Sequence, residues 1–286
     1  MIAQVGYQRR LRRLVPGHRA ALWLPLDDGL ISGPEDHLRD VRRLLRPTVL
    51  EHVTAVLGFR GVLYAARDDL VHTPTIMNLS ASTTFVDHTR KVAVGSVTDA
   101  LAVGAEAVAC HVNLTSPYEA EQLEMLARRV GEAQAYGLPV VAFAYPRGRR
   151  PNGSDENYTD MRESEPERFA QMVRHGVRVA VELGASVIKT IYTGSVESFR
   201  TVIESAMGVP VLIAGERLAG GDEAIAKAVD AVEAGAAGVA YGRQIFARTE
   251  PVPFLGELRN ALDKVSAPPT ESVPAPTPNA GPNSRW

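Results

Sequence analysis

Lys189 stands in the middle of the segment ASVIKTIYTG, residues 185–194, whose other members are mostly apolar or β-branched. Such a segment predicts a buried strand, and lysine is almost never fully buried unless it is paired or has a chemical function. Burial lowers the pKa of the amine, and a neutral amine attacks a carbonyl to form a Schiff base. The iminium then withdraws electrons from the adjacent carbon, so a carbon–carbon bond forms or breaks there. The alternative is a lysine whose stem follows the strand while its charge reaches a carboxylate at the rim.

A Schiff-base reaction also needs a group that moves protons near the same carbon. Tyr145 ends the apolar run PVVAFAY, and Asp27 follows the run AALWLPL. A tyrosine or a carboxylate within hydrogen-bond reach of the substrate performs such transfers. His111, inside the run AVACHVNL, is a candidate for substrate contact, although a buried histidine with a structural hydrogen-bond partner fits the pattern equally well.

Two glycine-rich segments, IAGERLAGG and AYGRQIF, follow the last two predicted strands. Gly215 and Gly242 expose backbone N–H groups, and Arg243 adds a charged donor, so together they are candidates for a phosphate site. Glycines at these places also serve simply to close tight turns between a strand and a helix.

The elements that must position these residues alternate along the chain. Short continuous apolar runs separated by stretches of helical periodicity predict parallel strands covered by helices. The predicted strands are residues 21–26, 74–80, 91–96, 107–114, 139–145, 186–192, 209–215 and 237–242, with residues 49–64 ambiguous. The clearest helices are residues 116–137, opening on a Ser-Pro cap, 166–184 and 221–235.

Eight strand–helix units in about 250 residues are typical of a (β/α)8 TIM barrel. No G-x-G-x-x-G segment follows any predicted strand, which disfavours the rival open, doubly wound sheet. A barrel brings the carboxyl ends of its strands to one mouth, where active sites form. The residues expected there are Asp27, Asp28, His111, Tyr145, Lys189, Gly215, Glu216, Gly242 and Arg243.

Composition narrows the partners and the domain organisation. The 286 residues carry a formal net charge of −2, so nothing calls for nucleic acid or an anionic membrane. No apolar run reaches membrane-spanning length, and the single cysteine, Cys110, fits a reducing cytoplasm. One domain is predicted over residues 1–265. Residues 266–286, rich in proline, serine, threonine and alanine, predict a disordered tail.

The segments LPLDDGLISGP, AYPRG, VIKTIYTG, VLIAG and GAAGVAYGRQIF together resemble the DeoC/LacD/DhnA group of class I aldolases. Within that group the chain is similar to archaeal-type fructose-bisphosphate aldolases and 2-amino-3,7-dideoxy-D-threo-hept-6-ulosonate synthases, over about residues 20–250. The resemblance implies a barrel that forms Schiff bases without metal or other cofactor, and a homo-oligomer. It assigns the Schiff-base lysine to Lys189, the proton-transferring tyrosine to Tyr145 and the first-strand aspartate to Asp27. It assigns phosphate binding to Gly215, Gly242 and Arg243.

Two departures from the family pattern affect substrate recognition. Asp28 stands where the family has histidine, and Glu216 where it usually has a second glycine. A carboxylate beside a phosphate site is unfavourable unless Arg217 or another cation offsets it. Asp28 is expected to bind a substrate ammonium. The resulting hypothesis is an aldolase that joins a phosphorylated ketose, such as dihydroxyacetone phosphate, to aspartate semialdehyde on a route to aminated aromatic compounds.

Three other functions stay open from the sequence. They are a fructose-bisphosphate aldolase, a flavin-dependent barrel oxidoreductase and a non-catalytic sugar-phosphate binder. The remaining histidines are scattered over predicted helices and loops, so no metal site is expected. The polar loop at residues 146–166 is predicted to be a mobile lid over the mouth, with a plain solvated loop as the alternative.

Overall fold

The computed structural model describes residues 2–34, 38–148 and 158–266. The barrel strands are β1 (Ala21–Pro25), β2 (Ala55–Gly58), β3 (Thr75–Asn78), β6 (Ala107–Leu114), β7 (Val140–Pro146), β8 (Val187–Thr190), β9 (Val211–Ala214) and β10 (Gly238–Ala240). Within the described residues, these eight strands pair in parallel and close in the order β1-β10-β9-β8-β7-β6-β3-β2. The predicted (β/α)8 barrel is confirmed, and the predicted tail lies, from residue 267 onward, outside the described residues.

One strand assignment from the sequence is wrong. Residues 91–96 do not enter the barrel, because Val92 and Ala93 form β5 (Val92–Ala93), which pairs antiparallel with β4 (Ser80–Ala81) outside it. The missing barrel strand is β2, which lies within the ambiguous residues 49–64. The β-branched run at 91–96 is therefore a strand of a small ribbon, and both residues of β5 are exposed.

The helices enclose the barrel. They are α1 (Ile2–Leu14), α2 (Asp28–Ile31), α3 (Val41–Leu44), α4 (Pro47–Leu50), α5 (Arg60–Ala65), α6 (Val97–Ala102), α7 (Glu119–Tyr136), α8 (Tyr158–Ser164), α9 (Pro166–Glu182), α10 (Val196–Ser205), α11 (Gly221–Glu233), α12 (Arg243–Phe246) and α13 (Pro251–Val265). The three helices predicted most clearly correspond to α7, α9 and α11, although α7 begins at Glu119 and not at the Ser-Pro pair. None of the helices described is long and apolar enough to cross a membrane.

Side chains alternate in direction along each strand and so form two hydrophobic cores, one inside the barrel and one between the barrel and the helices. Inward side chains such as Trp23, Leu57 and Phe143 pack together inside the barrel, and outward ones pack against the helices. Cys110 belongs to the outer core, and its neighbour His111 faces the interior. This two-sided burial explains why the strands read as continuous apolar runs.

Helix α1 closes the end of the barrel where the strands begin. Leu14 packs among the interior side chains, and its carbonyl oxygen accepts a hydrogen bond from Trp23 Nε1 over 2.9 Å. The hydroxyl of Thr54, just before β2, donates to the same oxygen. Since this end is filled with apolar side chains, the open mouth lies at the carboxyl ends of the strands.

Candidate active site

The carboxyl ends of the strands surround a cavity of about 380 Å³. All the residues that the sequence predicted for the site line this cavity, namely Asp27, Asp28, His111, Tyr145, Lys189, Gly215, Glu216, Gly242 and Arg243. They come from segments far apart in the sequence, and closure of the barrel brings them around one space. Its volume is within the range of sites that bind small molecules.

Lys189 lies on β8 with its side chain inside the barrel, and only 8% of the residue is exposed. Its Nζ lies 4.5 Å from the centre of the ring of Phe143, with which it pairs across β7 and β8. Burial lowers the pKa of the Lys189 amine, against the opposing effect of the Asp27 and Asp28 carboxylates. A larger fraction of this amine is therefore unprotonated than of an exposed lysine, which favours nucleophilic attack.

Tyr145 lies on β7 two residues beyond Phe143, so it shares the inward face and sits nearer the mouth. The centres of the Tyr145 and Tyr158 rings are 6.4 Å apart. Burial raises the pKa of the Tyr145 hydroxyl well above its usual value, and the nearby Tyr158 and Asp27 act in the same direction. The hydroxyl therefore keeps its proton through the neutral range and is available to donate it.

Asp27 follows β1 and is almost fully buried. Asn78, at the end of β3, donates from Nδ2 to Asp27 Oδ2 over 2.9 Å. The other end of the same amide, Asn78 Oδ1, accepts from the backbone N–H of Ser80 over 3.1 Å. Asn78 is thus held at both ends and fixes the orientation of a carboxylate that stabilises the Lys189 ammonium.

Asp28 and Arg243 form an ion pair, with Asp28 Oδ2 3.1 Å from Arg243 Nε. The pair joins the end of β1 to the turn after β10, which are neighbouring strands at the closure of the barrel. Burial raises the pKa of the Asp28 carboxyl, and the Arg243 guanidinium opposes this shift. The carboxylate orients the guanidinium at the edge of the cavity and has further lone pairs for a second donor.

Glu216 occupies the turn after β9 with a φ of 57°, a left-handed backbone conformation that favours glycine. Its carboxylate lies 3.0 Å from Arg162 Nη1 and 2.8 Å from Lys227 Nζ. These two cations, and not the adjacent Arg217, therefore offset the extra charge beside the predicted phosphate site. Arg162 Nη1 also donates to the carbonyl oxygen of Tyr192, so Glu216 connects α8 to α11 and to the end of β8.

The two glycine-rich turns pack against each other and against β1. A Cβ at Gly242 would lie 2.9 Å from the carbonyl oxygen of Pro25, and a Cβ at Gly215 would lie 3.0 Å from Gln244 Cγ. Gln244 Nε2 donates to the carbonyl oxygen of Gly215 over 2.8 Å and so joins the two turns. A side chain at 242 would collide with backbone, whereas one at 215 would require Gln244 and Tyr241 to shift, and both glycines line the cavity wall.

His111 is held on β6 by Ser80. The backbone N–H of His111 donates to Ser80 Oγ over 2.8 Å, and Ser80 Oγ lies 2.9 Å from His111 Nδ1. Burial lowers the pKa of the imidazole well below its usual value, and the charges of Lys91 and Lys189 act in the same direction. His111 is therefore neutral near pH 7, and it both lines the cavity and has a structural hydrogen-bond partner.

Further cavity residues arrive from connections between barrel strands, and the sequence did not single them out for the site. Thr84, His88 and Lys91 come from the connection between β4 and β5, and Tyr158 comes from α8. The sequence placed Lys91 at the start of a predicted barrel strand and gave it no role in the site. Lys91 begins an apolar run, whereas Lys189 lies in the middle of one. A lysine beside an apolar run was thus the signal available for Lys91.

The loop predicted as a lid is described only in part. Residues 158–164 form α8, which brings Tyr158 to the cavity and Arg162 to Glu216. Residues 149–157 lie outside the described residues. In the ranges 2–34, 38–148 and 158–266, no group of three or more His, Cys, Asp and Glu side chains is arranged to hold a metal ion.

Comparison with known proteins identifies the family. The model of the DeoC/LacD family aldolases matches residues 21–248. The chain is 38% identical over 251 residues to the 2-amino-3,7-dideoxy-D-threo-hept-6-ulosonate synthase of Halobacterium salinarum, covering 87% of this chain and 89% of that protein. It is 32% identical over 256 residues to the 2-amino-4,5-dihydroxy-6-oxo-7-(phosphonooxy)heptanoate synthase of Streptomyces griseus, covering 88% and 89%.

A solved structure resembles both the fold and the sequence. It is an archaeal fructose-1,6-bisphosphate aldolase whose catalytic lysine is covalently bound to the carbinolamine intermediate of the substrate. The match has a TM-score of 0.79 and 28% identity, and it covers 90% of this chain and 99% of that chain. The flavin enzyme and the non-catalytic binder considered from the sequence are therefore set aside. The chain belongs to the DeoC/LacD family of aldolases, and it is a class I aldolase, a carbon–carbon lyase that works through a Schiff base.

Proposed function

We propose that the enzyme joins a phosphorylated ketose, such as dihydroxyacetone phosphate, to aspartate semialdehyde, with Lys189 as the Schiff-base residue. The observation that carries the proposal is the buried Lys189 amine, whose pKa burial lowers, inside a cavity it shares with Tyr145 and Asp27. The Streptomyces griseus relative supports this choice, because the heptanoate in its name has the atoms of these two substrates added together without loss.

The reaction begins when the Lys189 amine adds to the ketone carbonyl of the donor. Loss of water from the carbinolamine gives an iminium, and Asp27, fixed by Asn78, stabilises its positive charge. The Asp27 carboxylate takes a proton from the hydroxymethyl carbon and so gives an enamine, which attacks the aldehyde carbon of the acceptor. The new alkoxide takes a proton from Tyr145, and the proton held by Asp27 then returns to the Tyr145 phenolate. Hydrolysis of the iminium releases the product and regenerates the amine.

The remaining predicted residues divide the recognition of the substrates. The backbone N–H groups of the turns at Gly215 and Gly242, with the Arg243 guanidinium, bind the donor phosphate. Asp28 holds Arg243 and accepts a hydrogen bond from the ammonium of the acceptor. Glu216 contributes through Arg162, which keeps α8 and Tyr158 at the cavity. His111 contacts substrate as a neutral hydrogen-bonding group.

Fructose-bisphosphate aldolase is the second candidate. The likeness to the archaeal aldolase at 28% identity over 90% of the chain favours it. The two candidates share the donor and the Schiff base but differ in the acceptor, because glyceraldehyde 3-phosphate has no ammonium for Asp28.

A direct assay separates the candidates. The enzyme is incubated with dihydroxyacetone phosphate and either aspartate semialdehyde or glyceraldehyde 3-phosphate, and products are followed by mass spectrometry. Borohydride reduction with the donor alone should add the donor mass to Lys189. We expect a higher kcat/KM with aspartate semialdehyde. Preference for glyceraldehyde 3-phosphate would overturn the acceptor, and turnover without modification of Lys189 would overturn the mechanism.

Asp28→His tests recognition of the ammonium. The variant should lose its preference for aspartate semialdehyde over glyceraldehyde 3-phosphate, since it removes the negative charge that the ammonium contacts. Unchanged discrimination between the two acceptors would remove Asp28 from the recognition site.

A further inference from the structure

A small ribbon adds a second cationic region to the mouth. Strands β4 and β5 pair with each other, and the residues between them run over the ends of β3 and β6. The backbone carbonyl oxygen of Thr89 accepts from Gln122 Nε2 over 2.7 Å and from Asn113 Nδ2 over 3.3 Å. These bonds tie the connection between β4 and β5 to β6 and α7, so its residues have a fixed place at the cavity.

Lys91 is the charged residue that this connection contributes to the cavity. Only 6% of Lys91 is exposed, and its Nζ donates to Ser82 Oγ over 2.8 Å. Ser82 Oγ in turn donates to the carbonyl oxygen of His88 over 2.7 Å. Lys91 lines the cavity together with Asp28 and His111, and its charge acts to lower the pKa of both side chains.

Lys91 lies opposite the glycine turns. In the closed barrel, three strands separate β3 from β9 in both directions, and three separate β6 from β10. We name Gly215, Gly242 and Arg243 the turn side of the mouth, and His88 and Lys91 the ribbon side. Lys189, on β8, and Asp27, after β1, lie between them, so a ligand that spans the cavity passes the reacting amine and meets a cation at each end.

The two sides offer different chemistry to an anion. The turn side combines an arginine with exposed backbone N–H groups, which is a common way to bind a phosphate dianion. The ribbon side offers a lysine ammonium beside a neutral imidazole, because burial lowers the pKa of His88 to about 3. Arg147 lines the same cavity and its charge also acts on His88, so this side presents cations that suit a carboxylate.

We propose that Lys91 binds the carboxylate of the acceptor and so selects an aldehyde that carries an acid group at its far end. The proposal rests on the proposed function, since it takes Lys189 and the turn side as the donor site. With Asp28 on the ammonium and Lys91 on the carboxylate, each charged group of an amino-acid aldehyde meets a residue of opposite charge in the cavity.

Lys91→Met tests the proposal, because it removes the charge and keeps an apolar stem. The acceptors are aspartate semialdehyde, succinate semialdehyde, which retains the carboxylate alone, and butanal, which has neither charge. We expect the KM for both acids to rise about 10- to 100-fold, as for one lost hydrogen bond to a charged group. The preference for succinate semialdehyde over butanal should disappear, while the KM for dihydroxyacetone phosphate stays as in the parent enzyme.

Two matched variants separate binding from folding. Lys91→Arg keeps the charge and should restore most of the preference for acids. Arg90→Met removes an exposed cation from the adjacent position and should leave every KM unchanged. Borohydride trapping of Lys189 by the donor alone should persist in all three variants, which shows that the donor site is intact.

The outcomes distinguish this inference from the proposed function. Equal increases in the KM for succinate semialdehyde and butanal, or an unchanged preference between them, would overturn the role of Lys91. An effect of Lys91→Met confined to glyceraldehyde 3-phosphate would assign the ribbon side to a phosphate and also overturn it. Failure of the parent enzyme to form the donor Schiff base would instead refute the proposed function.

Discussion

The turn side and the ribbon side of the mouth both present cations to the cavity, but they are built differently. The turn side consists of strand ends that the barrel itself holds together, and Gln244 joins its two turns. The ribbon side belongs to a β4–β5 excursion between two barrel strands, anchored through Thr89. The turn side therefore directly follows strands of the barrel, whereas the ribbon side lies in a segment outside the barrel sheet.

The charges differ as well. On the turn side the nearby carboxylates Asp28 and Glu216 are paired with cations, so Arg243 is oriented by its partner. On the ribbon side Lys91 is held by the Ser82 hydroxyl and stands beside a neutral His88. The comparison separates an arginine held beside two glycine turns at one end of the site from a lysine held by a hydroxyl at the other.

Lys189→Met is expected to have the largest effect, because Lys189 lies between the two sides and serves both substrates. Turnover should fall on the order of 10⁴-fold or more, as when a covalent catalyst is removed, and borohydride trapping should vanish. Replacing a buried amine by an apolar side chain of similar volume is often neutral or stabilising, so the variant should fold. If borohydride still attached the donor to another residue of the variant, Lys189 would not be the Schiff-base residue that acts on both substrates.

Tyr145→Phe should lower kcat by about 10² to 10⁴-fold, the usual range for general acid–base catalysis. The ring stays in place and only the hydroxyl is lost, so donor trapping on Lys189 should continue. Steady-state kinetics with single-turnover trapping checks this. If trapping fails as completely as turnover does, Tyr145 acts before carbon–carbon bond formation and not at the alkoxide.

Arg243→Gln probes the turn side. The KM for the phosphorylated donor should rise about 10- to 100-fold, because a hydrogen bond to a charged group is lost, while the KM for the acceptor changes little. Since the substitution also leaves Asp28 without its partner, Asp28→Asn combined with Arg243→Gln is the control. Recovery of the donor KM in the double variant would show that the released carboxylate, and not the lost arginine, weakened binding.

His88→Gln probes the ribbon side, and of the four substitutions it should have the smallest effect. It is expected to change how the free energy of unfolding depends on pH. The folded protein keeps His88 neutral because burial lowers its pKa to about 3, whereas the unfolded chain takes up a proton near pH 6.5. The unfolded state therefore binds more protons between these values, and stability falls as the pH drops through that window. The slope attributable to one such group is about 1.4 kcal/mol per pH unit at most.

The charges that keep His88 neutral besides burial come from Lys91, Arg147 and Arg243, with Asp87 opposing them. Urea unfolding between pH 4.5 and 7.5 should show a shallower slope for His88→Gln than for the parent. His111 contributes a slope of its own, since burial also lowers its pKa. Substitution of the exposed His175 is the matched control, and an equal flattening there would contradict the assignment to the ribbon side.

The sequence predicted the barrel and the residues that line its cavity because both follow from short-range patterns. A lysine within a β-branched run and glycines after two strands are visible without knowing the fold, and a barrel then places all strand ends together. The limit of such patterns appears in the one wrong strand, since residues 91–96 were predicted to belong to the barrel and β2 belongs to it instead. A β-branched run reveals its preference for extended structure, but the sheet it joins depends on distant partners.

The site residues that the sequence did not single out are those that no strand end positions. Lys91 and Tyr158 reach the cavity from connections whose paths depend on tertiary contacts, such as the Thr89 carbonyl with Gln122 and Arg162 with Glu216. Glu216 was noticed as a departure, but its partners were not foreseen, because Arg162 and Lys227 come from α8 and α11. Pairing across such sequence distances is not encoded in local spacing.

The β4–β5 ribbon has a consequence for how the ribbon side of the cavity can be varied. Ser80 pairs with Ala93 and Ala81 with Val92, so the ribbon closes on itself before the chain returns to the barrel. Residues can be inserted or removed between Ala81 and Val92 without shifting the register of any barrel strand, and each doubling of such a loop costs only about 0.6 kcal/mol. A library confined to residues 82–91 therefore varies the proposed acceptor side of the cavity while the barrel strand that carries Lys189 keeps its register.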